Sequence, residues 1–238
     1  YNTIGTDTIG MKKVAIFDID GTIFRSSLLI EITERLIEKG LFPLSTRREY
    51  QYEYKKWHDR KGSYEIYIEA VVKTFVKHLR GISYKDFLEA GDEVFEQQKN
   101  RTYRYTRDLI KELKKKKYYL LAISQSPKGI LDKFCVHMGF DKIYGRIYEL
   151  GPEDKFTGNI IDLHLISNKA NIVKRAVEKE NLTLQGSIAV GDTEGDISML
   201  EMVEQPICFN PNMRLYREAK RNGWKVVVER KDVIYEIN

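Results

Sequence analysis

The sequence has few cysteines, no long apolar run and no strong excess of one charge, and each shortage excludes a class of protein. Its 238 residues include 2 cysteines, and we expect Cys135 and Cys208 to be small core residues in a reducing compartment, which indicates a cytoplasmic protein. Apolar runs extend over only a few residues, whereas a helix that crosses a bilayer needs about 20, so we expect no membrane insertion. With hydrophobic residues at 42% and charged residues at 32%, the composition is that of a globular protein.

Positive charge is only slightly in excess, because 40 lysines and arginines face 35 aspartates and glutamates, a net charge of +5. A nucleic-acid-binding protein usually concentrates its basic residues on one face. The densest basic run, Lys114–Lys117, falls where a helix should end before a strand, and lysines there complement the helix dipole. We therefore expect no nucleic-acid partner. The four histidines show no metal-ligand spacing and are expected to be structural or exposed: His58, His78, His137 and His164.

Strand and helix patterns alternate along most of the chain. Continuous apolar runs, which are typical of buried parallel strands, occur at Val14–Phe17, Tyr118–Ile123, Ser187–Val190, Pro206–Phe209 and Lys225–Val228. Helical periodicity is found at Thr106–Lys116, Gly129–Met138, Lys169–Lys179, Ile197–Val203 and Met213–Asn222. The short segment Phe156–Ile161 is predicted to be a hairpin or turn. This alternation predicts an α/β protein with a three-layer, Rossmann-like core, in which helices cover both faces of a mainly parallel sheet.

Residues 26–104 differ from the rest, because they show helical periodicity and almost no strand pattern. We interpret them as a helical cap domain inserted into an α/β core formed by residues 11–25 and 105–238. Residues 1–10 lack a starting methionine and a hydrophobic period. We expect Met11 to be the native start and the residues before it to be upstream sequence or an addition to the chain. A monomer and a homodimer both stay open.

Acidic, hydroxyl and lysine side chains follow strands or open helices in a recurring arrangement. The segment Asp18–Thr22, DIDGT, comes directly after the first buried strand, and Ser124 follows the second. Lys169 opens a helix, and Asp192 and Asp196 follow a later strand. Any one of these alone fits a turn, a helix cap or a surface charge. Because ligands of open parallel sheets bind beyond the carboxyl ends of the strands, the set together predicts one site at that edge.

These motifs resemble those of the haloacid dehalogenase superfamily, and within it the phosphoserine-phosphatase-like branch with a helical cap. The DxDGT motif of that family matches Asp18–Thr22, and its serine motif matches Ser124 within Ile123–Pro127. Its lysine motif matches Lys169, and its GDxxxD motif matches Gly191–Asp196. The resemblance extends over essentially the whole chain from Met11. It implies a haloacid dehalogenase-like fold and a Mg²⁺-dependent phosphatase whose partner is a small phosphorylated metabolite.

The resemblance also implies a role for each matched residue. Asp18 would be the nucleophile that forms an aspartyl-phosphate, and Asp20 would be the general acid and base. Mg²⁺ would be held by the Asp18 and Asp192 carboxylates and by the backbone carbonyl of Asp20. Asp196 would act on the metal through water, or would orient Lys169. The phosphoryl group would be bound by Thr22, Ser124, Gln125 and Lys169.

The substrate and two alternative functions stay open. Phosphoserine phosphatases usually carry an acidic residue soon after the first motif, whereas the first acid here is Glu31; phosphoserine is therefore only one candidate. A phosphomutase shares the nucleophile and the acid/base, and a phosphate-binding or regulatory module would have no need of Asp20. Specificity is expected to come from the cap, where four residues are either substrate contacts or, more simply, packing and surface residues: Arg25, Tyr54, Trp57 and Arg60.

Overall fold

The computed structural model describes residues 10–161 and 168–237. Within these ranges, eight strands form a single sheet in the order β4-β3-β2-β1-β5-β6-β7-β8. The strands are Lys12–Phe17 (β1), Tyr119–Pro127 (β2), Lys142–Leu150 (β3), Phe156–Ile161 (β4), Leu182–Gly191 (β5), Gln205–Phe209 (β6), Lys225–Arg230 (β7) and Val233–Ile237 (β8). The helices of the same ranges are Leu28–Glu38 (α1), Arg48–His58 (α2), Tyr64–Leu79 (α3), Tyr84–Gln98 (α4), Arg104–Lys115 (α5), Lys128–Met138 (α6), Lys169–Lys179 (α7), Ile197–Leu200 (α8) and Met213–Asn222 (α9).

The central strands of the sheet run parallel, and an antiparallel strand closes each end. Strand β1 pairs in parallel with β2 on one side and with β5 on the other. The antiparallel pairs are β3 with β4 and β7 with β8. The chain goes from β1 to β2 and β3 in one direction and then returns to β5 on the other side of β1. This reversal of strand order places the expected ligand site beyond the carboxyl ends of β1 and its two neighbours.

Strand β1 is buried on both of its faces. Ala15 and Phe17 belong to one hydrophobic cluster, which includes buried residues of α1 and α3–α6. Val14 and Ile16 belong to a second cluster, on the opposite face, with residues of α7, α8 and α9. A strand covered by helices on both sides needs apolar residues at every position, which explains its continuous apolar run. The predicted three-layer α/β fold is therefore confirmed.

The predicted helical insert between β1 and β2 is also present, since helices α1–α4 lie within residues 26–104, and α5 follows where a core helix was predicted at Thr106–Lys116. The insert packs directly onto the helices of the core. The ring of Phe95 in α4 lies edge-on against that of His137 in α6, with centroids 5.5 Å apart. At Gly129 of α6, a Cβ atom would lie only 2.9 Å from the ring of Phe87 in α4, so the glycine allows these two helices to approach closely. The domain boundaries at residues 26 and 104 stay a prediction.

The structure differs from the sequence prediction mainly at the edges of the sheet. Phe156–Ile161, predicted to be a hairpin or turn, is strand β4, with Gly158 at φ +90° inside it. Strands β3 and β8 were not predicted, because each is only partly buried and polar residues interrupt its apolar pattern. Helix α8 ends at Leu200 instead of Val203. Strands near the edge of a sheet are less buried and have a weaker apolar pattern than central strands. The errors in strand prediction therefore occur near the two edges.

Two expectations about the whole chain can be compared with the described residues. None of the helices in residues 10–161 and 168–237 is long and apolar enough to cross a membrane. Cys135 and Cys208 are both buried and form no disulfide. They lie in the two hydrophobic clusters on opposite faces of the sheet, as expected of small core residues.

Candidate active site

The carboxyl ends of β1, β2 and β5 bring the motif residues together. Asp18 follows the last residue of β1, and its N–H donates to the carbonyl of Val190 in β5 at 2.9 Å. Ser124 lies near the end of β2. Asp192 directly follows Gly191, the last residue of β5. The three segments therefore meet at the switch point of the sheet, as the order of the motifs predicted.

Lys169, the first residue of α7, is buried and bridges two of the acids. Its Nζ lies 2.5 Å from Oδ1 of Asp18 and 2.6 Å from Oδ1 of Asp196. Burial alone would lower the pKa of Lys169, but the two carboxylates outweigh burial and raise it above its ordinary value. A buried ammonium with two carboxylate partners is held charged and in one place. This lysine therefore supplies a fixed positive charge next to Asp18.

Asp196 uses both of its carboxylate oxygens within the protein. While Oδ1 accepts from Lys169, Oδ2 accepts from the backbone N–H groups of Asp192, at 2.9 Å, and Thr193, at 3.1 Å. At Gly191 a Cβ atom would lie 2.4 Å from the Cβ of Asp196, so only glycine allows this approach. These contacts hold the loop and Lys169 in place, which is one of the two roles expected for Asp196.

Asp20 lies beside strand β2 and is held by three donors. Its Oδ2 accepts from the hydroxyls of Ser124 and Ser126, both at 2.7 Å, and its Oδ1 accepts from the N–H of Leu28 at 2.5 Å. Burial raises the pKa of Asp20 above its ordinary value, and the hydrogen bonds from Ser124, Leu28 and Ser126 oppose that increase. The hydroxyl of Ser124, expected to bind phosphate, is thus turned towards Asp20.

The acids next to Lys169 form a group that fits a divalent cation. Oxygen atoms of Asp18, Asp192 and Asp196 lie within 4.8 Å of one another. Oδ2 of Asp18 is buried and has no hydrogen-bond partner, although buried carboxylate oxygens are normally paired. The pKa of Asp18 is raised from 3.8 to about 7, because burial raises it by more than Lys169 lowers it, and Asp196 and Asp20 add to the increase. Burial also raises the pKa of Asp192 well above its ordinary value. A hard cation would compensate these buried charges.

Thr22 supports the loop after β1. Its hydroxyl lies 3.4 Å from Oδ1 of Asp192, and its carbonyl accepts from the hydroxyl of Thr106 at 2.9 Å. Gly21, one residue earlier, has φ +80°, and a Cβ atom on it would lie 2.1 Å from Oδ2 of Asp192. The glycine of the DIDGT segment is thus required by the close approach of Asp192. Thr22 is fully buried, so its contacts serve the loop.

Comparison with known proteins identifies the family. The family model for haloacid dehalogenase-like hydrolases matches residues 15–201. The chain belongs to the haloacid dehalogenase-like hydrolase family.

Its relatives lie in the phosphoserine-phosphatase-like branch of this hydrolase family. The chain is 26% identical to a histidinol-phosphatase of Neisseria meningitidis, over 91% of this chain and 99% of that protein. It is 22% identical to a phosphoserine phosphatase of Mycobacterium tuberculosis, over 92% of this chain and 71% of that protein. A solved structure of a phosphoserine phosphatase, described as a phospho-aspartyl intermediate analogue, superposes with a TM-score of 0.64, with 22% identity over 93% and 95% of the two chains. The last similarity shows the fold.

In this hydrolase, a cavity of about 410 Å³ lies between the strand ends and one face of helix α3. Asp18, Asp20, Lys169 and Asp192 line it on the sheet side, together with Gln125. The volume lies within the range of small-molecule sites. On the other side, helix α3 contributes residues at helical spacing: Tyr64, Glu65, Ile68, Glu69, Val72 and Lys73.

Sequence reasoning missed several residues that line this cavity. The α3 face follows the same helical period as any packed face, so no local pattern marks it as part of a site. Arg146 lines the cavity from β3, a strand that the sequence prediction omits. Ser126 could have been found, because it stands two residues after Ser124 in a strand and therefore points to the same face. Glu194, between the two acids of the GDxxxD motif, also lines the cavity.

The cap residues considered as possible substrate contacts do not line the cavity. Trp57 stacks on Tyr67, with centroids 5.5 Å apart, and Tyr54 packs against the same tyrosine. Arg25 and Arg60 are exposed. The simpler expectation, packing and surface positions, fits these contacts. Of the histidines, His58 and His78 lie beside acids and His137 beside Phe95, whereas His164 lies outside the described residues.

Proposed function

We propose that this hydrolase is a Mg²⁺-dependent phosphatase that cleaves a small phosphomonoester through an aspartyl-phosphate on Asp18. One observation carries the proposal: the buried, unpartnered Oδ2 of Asp18 lies in a cavity that it shares with Lys169, Asp192 and the hydrogen-bonded carboxyl group of Asp20. One cavity is therefore lined by a candidate nucleophile, a fixed cation, a carboxylate suited to bind a metal ion and a candidate general acid and base. Phosphoryl transfer requires these parts, because it depends mainly on positioning and charge stabilisation.

The first half of the reaction would depend on Asp18 and Lys169. An oxygen of Asp18 attacks phosphorus, and the alcohol departs from the opposite side in an in-line displacement. The ammonium of Lys169, 2.5 Å from Asp18, offsets the negative charge that the phosphoryl oxygens bring next to the carboxylate. Mg²⁺, held by Asp18, Asp192 and a carbonyl of the loop, would supply Lewis-acid stabilisation of the phosphoryl charge.

Asp20 would move the protons of both half-reactions. Burial raises the pKa of Asp20 above its ordinary value, which favours the protonated form that can donate to the leaving alcohol. Once ionised, the same carboxylate accepts the proton of the water that attacks the aspartyl-phosphate. The hydroxyls of Ser124 and Ser126 fix its orientation during both steps. They also limit the increase in its pKa, because they stabilise the ionised form.

The identity of the substrate is an open part of the proposal. The relatives named above include a histidinol-phosphatase and a phosphoserine phosphatase, so both compounds are candidates. A panel with these two substrates, sugar phosphates and lysophospholipids, assayed with and without Mg²⁺, would rank them by kcat/KM. Release of inorganic phosphate identifies a phosphatase, whereas isomerisation of a sugar phosphate without release identifies a phosphomutase.

The mechanism is tested with matched Asp→Asn substitutions and p-nitrophenyl phosphate. We expect Asp18→Asn to abolish turnover and Asp20→Asn to remove nearly all of it, with unchanged circular dichroism. Asp92→Asn is the control, because Asp92 lies in α4, forms an exposed ion pair with Lys133 and does not line the cavity. If Asp18→Asn keeps wild-type turnover, Asp18 is not the nucleophile and the proposal fails.

A further inference from the structure

The site residues follow a fixed order along the carboxyl edge of the sheet. Asp192 follows β5, Asp18 follows the neighbouring β1, and Asp20 is hydrogen-bonded to serines of β2, the next strand. The strand after that is β3, which carries Arg146 opposite Pro127 of β2. Neighbouring strands lie about 4.8 Å apart, so β3 is about two strand spacings from β1. Arg146 also lies further along the strand direction than Asp18, because Phe17 pairs with Ala122 and Arg146 with Pro127.

This order indicates which part of the substrate faces Arg146. In an in-line displacement the leaving group departs on the side opposite the nucleophile. The acid that protonates it, Asp20, is held on the β2 side of Asp18. The leaving alcohol that Asp20 would protonate therefore lies on the β2 side of Asp18, the side on which β3 follows, and the phosphoryl group would stay with Asp18 and Lys169.

Arg146 is a buried cation without a counter-charge among the described residues. Its exposed fraction is 7%, and it forms no ion pair with a carboxylate of residues 10–161 or 168–237. Its Nη2 donates to Oε1 of Gln125 at 2.5 Å, whereas Nε has no partner. The buried hydroxyl of Tyr148 lies beside Arg146: burial raises the pKa of Tyr148, and the charge and a hydrogen bond of Arg146 oppose that increase. Tyr148 is therefore a neutral neighbour and not a counter-charge. A buried charge without a counter-charge is strongly unfavourable, so a guanidinium that lines a cavity in this state is arranged for an external anion.

The backbone holds Arg146 at this position. A Cβ atom on Gly145 would lie 2.7 Å from Leu131 and 3.2 Å from the carbonyl oxygen of Ser126. Glycine therefore allows β3 to lie close against the end of β2 and the start of α6. The guanidinium is presented by a packed strand, so its position depends little on loop motion.

Helix α3 places a second cation at the same end of the cavity. At its start, Glu65 lies 3.8 Å from Arg214, which also binds Glu194 beyond β5. Further along, Phe75 packs on Tyr148 of β3, with centroids 5.5 Å apart. The helix thus crosses the sheet edge from β5 to β3, and Lys73 lines the cavity two residues before Phe75. Arg146 and Lys73 are thus the cations that line this side of the cavity, and Glu69 of α3 lies one helical turn before Lys73.

We infer that Arg146, together with Gln125, is a specificity-determining subsite that binds an anionic oxygen group, a carboxylate or a second phosphoryl group, on the alcohol part of the substrate. This inference rests on the proposed function, because the phosphatase reaction defines the leaving-group side. A guanidinium suits both groups, since its planar donors match carboxylate and phosphate oxygens.

Non-hydrolysable inhibitors of matched length test the subsite. Propylphosphonate, 2-carboxyethylphosphonate and ethane-1,2-bisphosphonate share a phosphonate and differ in the distal group: a methyl, a carboxylate or a second phosphonate. Inhibition constants are measured against p-nitrophenyl phosphate with Mg²⁺. We expect the wild-type protein to bind at least one of the two compounds with an anionic distal group about 10-fold or more tighter than propylphosphonate, the usual range for a charged hydrogen bond. The stronger of the two identifies the group.

Variants at Arg146 separate recognition from folding. In Arg146→Met the preference should disappear while the inhibition constant of propylphosphonate stays within about 3-fold, and Tm should be equal or higher because an unpaired buried charge is removed. Arg146→Lys should keep only part of the preference, since it lacks the planar fork. Lys142→Met is the control, because it removes an exposed cation from the other end of the same strand.

The outcomes distinguish this inference from the proposed function. A wild-type protein that hydrolyses p-nitrophenyl phosphate but shows no preference overturns the inference alone, as does a preference that survives in Arg146→Met. A large drop in Tm of Arg146→Met with unchanged inhibition constants also overturns it, because Arg146 would then be structural. If no turnover is found, the proposed function fails, and calorimetric titration of the same three compounds still decides whether Arg146 binds the distal anion.

Discussion

Replacement of Gly21 by alanine is the most direct test of the contact between the DIDGT loop and Asp192. The Cβ atom of an alanine at position 21 would lie 2.1 Å from Oδ2 of Asp192, whereas non-bonded Cβ contacts are essentially never shorter than 3.0 Å. The backbone cannot easily move away, because the N–H of Gly21 donates to the carbonyls of Phe24 and Ser26. The carboxylate of Asp192 must therefore shift by about 1 Å.

The expected effect has two parts that can be measured separately. An alanine at φ +80° costs about 1–2 kcal/mol of stability, wherever it occurs. The shift of Asp192 adds a functional loss, because a misplacement of about 1 Å at a reacting centre costs about 100-fold in rate. Substitutions that disturb the support of a metal ligand typically lower metal affinity by about 10- to 100-fold. We expect kcat/KM to fall about 100-fold and the Mg²⁺ concentration for half-maximal rate to increase about 10-fold or more.

Gly81→Ala provides the matched control. Gly81 has φ +84°, nearly the value of Gly21, but a Cβ atom there would have nothing within 4 Å. Urea unfolding should give both variants a similar loss of stability, and Mg²⁺ titration of p-nitrophenyl phosphate hydrolysis should separate them. If Gly21→Ala and Gly81→Ala show the same Mg²⁺ dependence and rate, Asp192 does not contribute to the metal site and the reasoning is refuted.

Three further measurements probe the charges around Asp18. Lys169→Met leaves the buried carboxylates of Asp18 and Asp196 without their cation. Urea unfolding in EDTA should therefore show a loss of about 3–5 kcal/mol in the free energy of unfolding. If added Mg²⁺ restores none of this loss, the acids do not form a cation site. Ser126→Ala removes a hydrogen bond that lowers the pKa of Asp20, so this pKa should rise. The alkaline limb of the pH profile of kcat should then move to higher pH. If the limb does not move, Asp20 is not the general acid. The pKa of Asp18 is about 7 in the folded protein, compared with an ordinary value of 3.8. Between these two pH values and without metal, Asp18 is protonated in the folded state and ionised in the unfolded chain. The Tm without metal should therefore fall as pH rises from 5.5 to 8, and Mg²⁺ should raise the Tm more at pH 8; the opposite order would contradict this assignment.

The central strands and the order of the motifs could be predicted because their signals are local. Val14–Phe17 is apolar at every position since both faces of β1 are covered, and DIDGT follows it directly in the sequence. The parallel-sheet rule then places Asp18, Ser124 and Asp192 at one edge. Roles in catalysis came from the family resemblance, and they stay proposals.

The remaining features depend on contacts that no local pattern records. Whether Ser124 faces the phosphoryl group or Asp20 is decided by the 2.7 Å hydrogen bond between residues 104 positions apart. Strand β3 was missed because Lys142, Tyr144 and Arg146 break its apolar pattern. For Arg146, however, the same break is the signal: a charged residue in a mostly buried stretch needs a partner, and no carboxylate partner is found within the described part of the chain.

Two parts of the site differ in how tightly the surrounding residues pack: the strand ends that carry the acids, and the cavity face formed by α3 and β3. The residues proposed for phosphoryl transfer come from the ends of β1, β2 and β5 and from the start of α7. Gly21 and Gly191, after β1 and at the end of β5, leave no room for a Cβ atom. The leaving-group end is formed by one face of α3 and by β3 near the sheet edge. Substitutions on α3 at Ile68 or Lys73 change the cavity without disturbing the acids around Lys169, because these side chains contact the cavity from the opposite side. Under the proposed function, changes in α3 and β3 would alter substrate preference and leave the phosphoryl-transfer residues in place, so we expect distal-group inhibitors to report on specificity more directly than catalytic rates do.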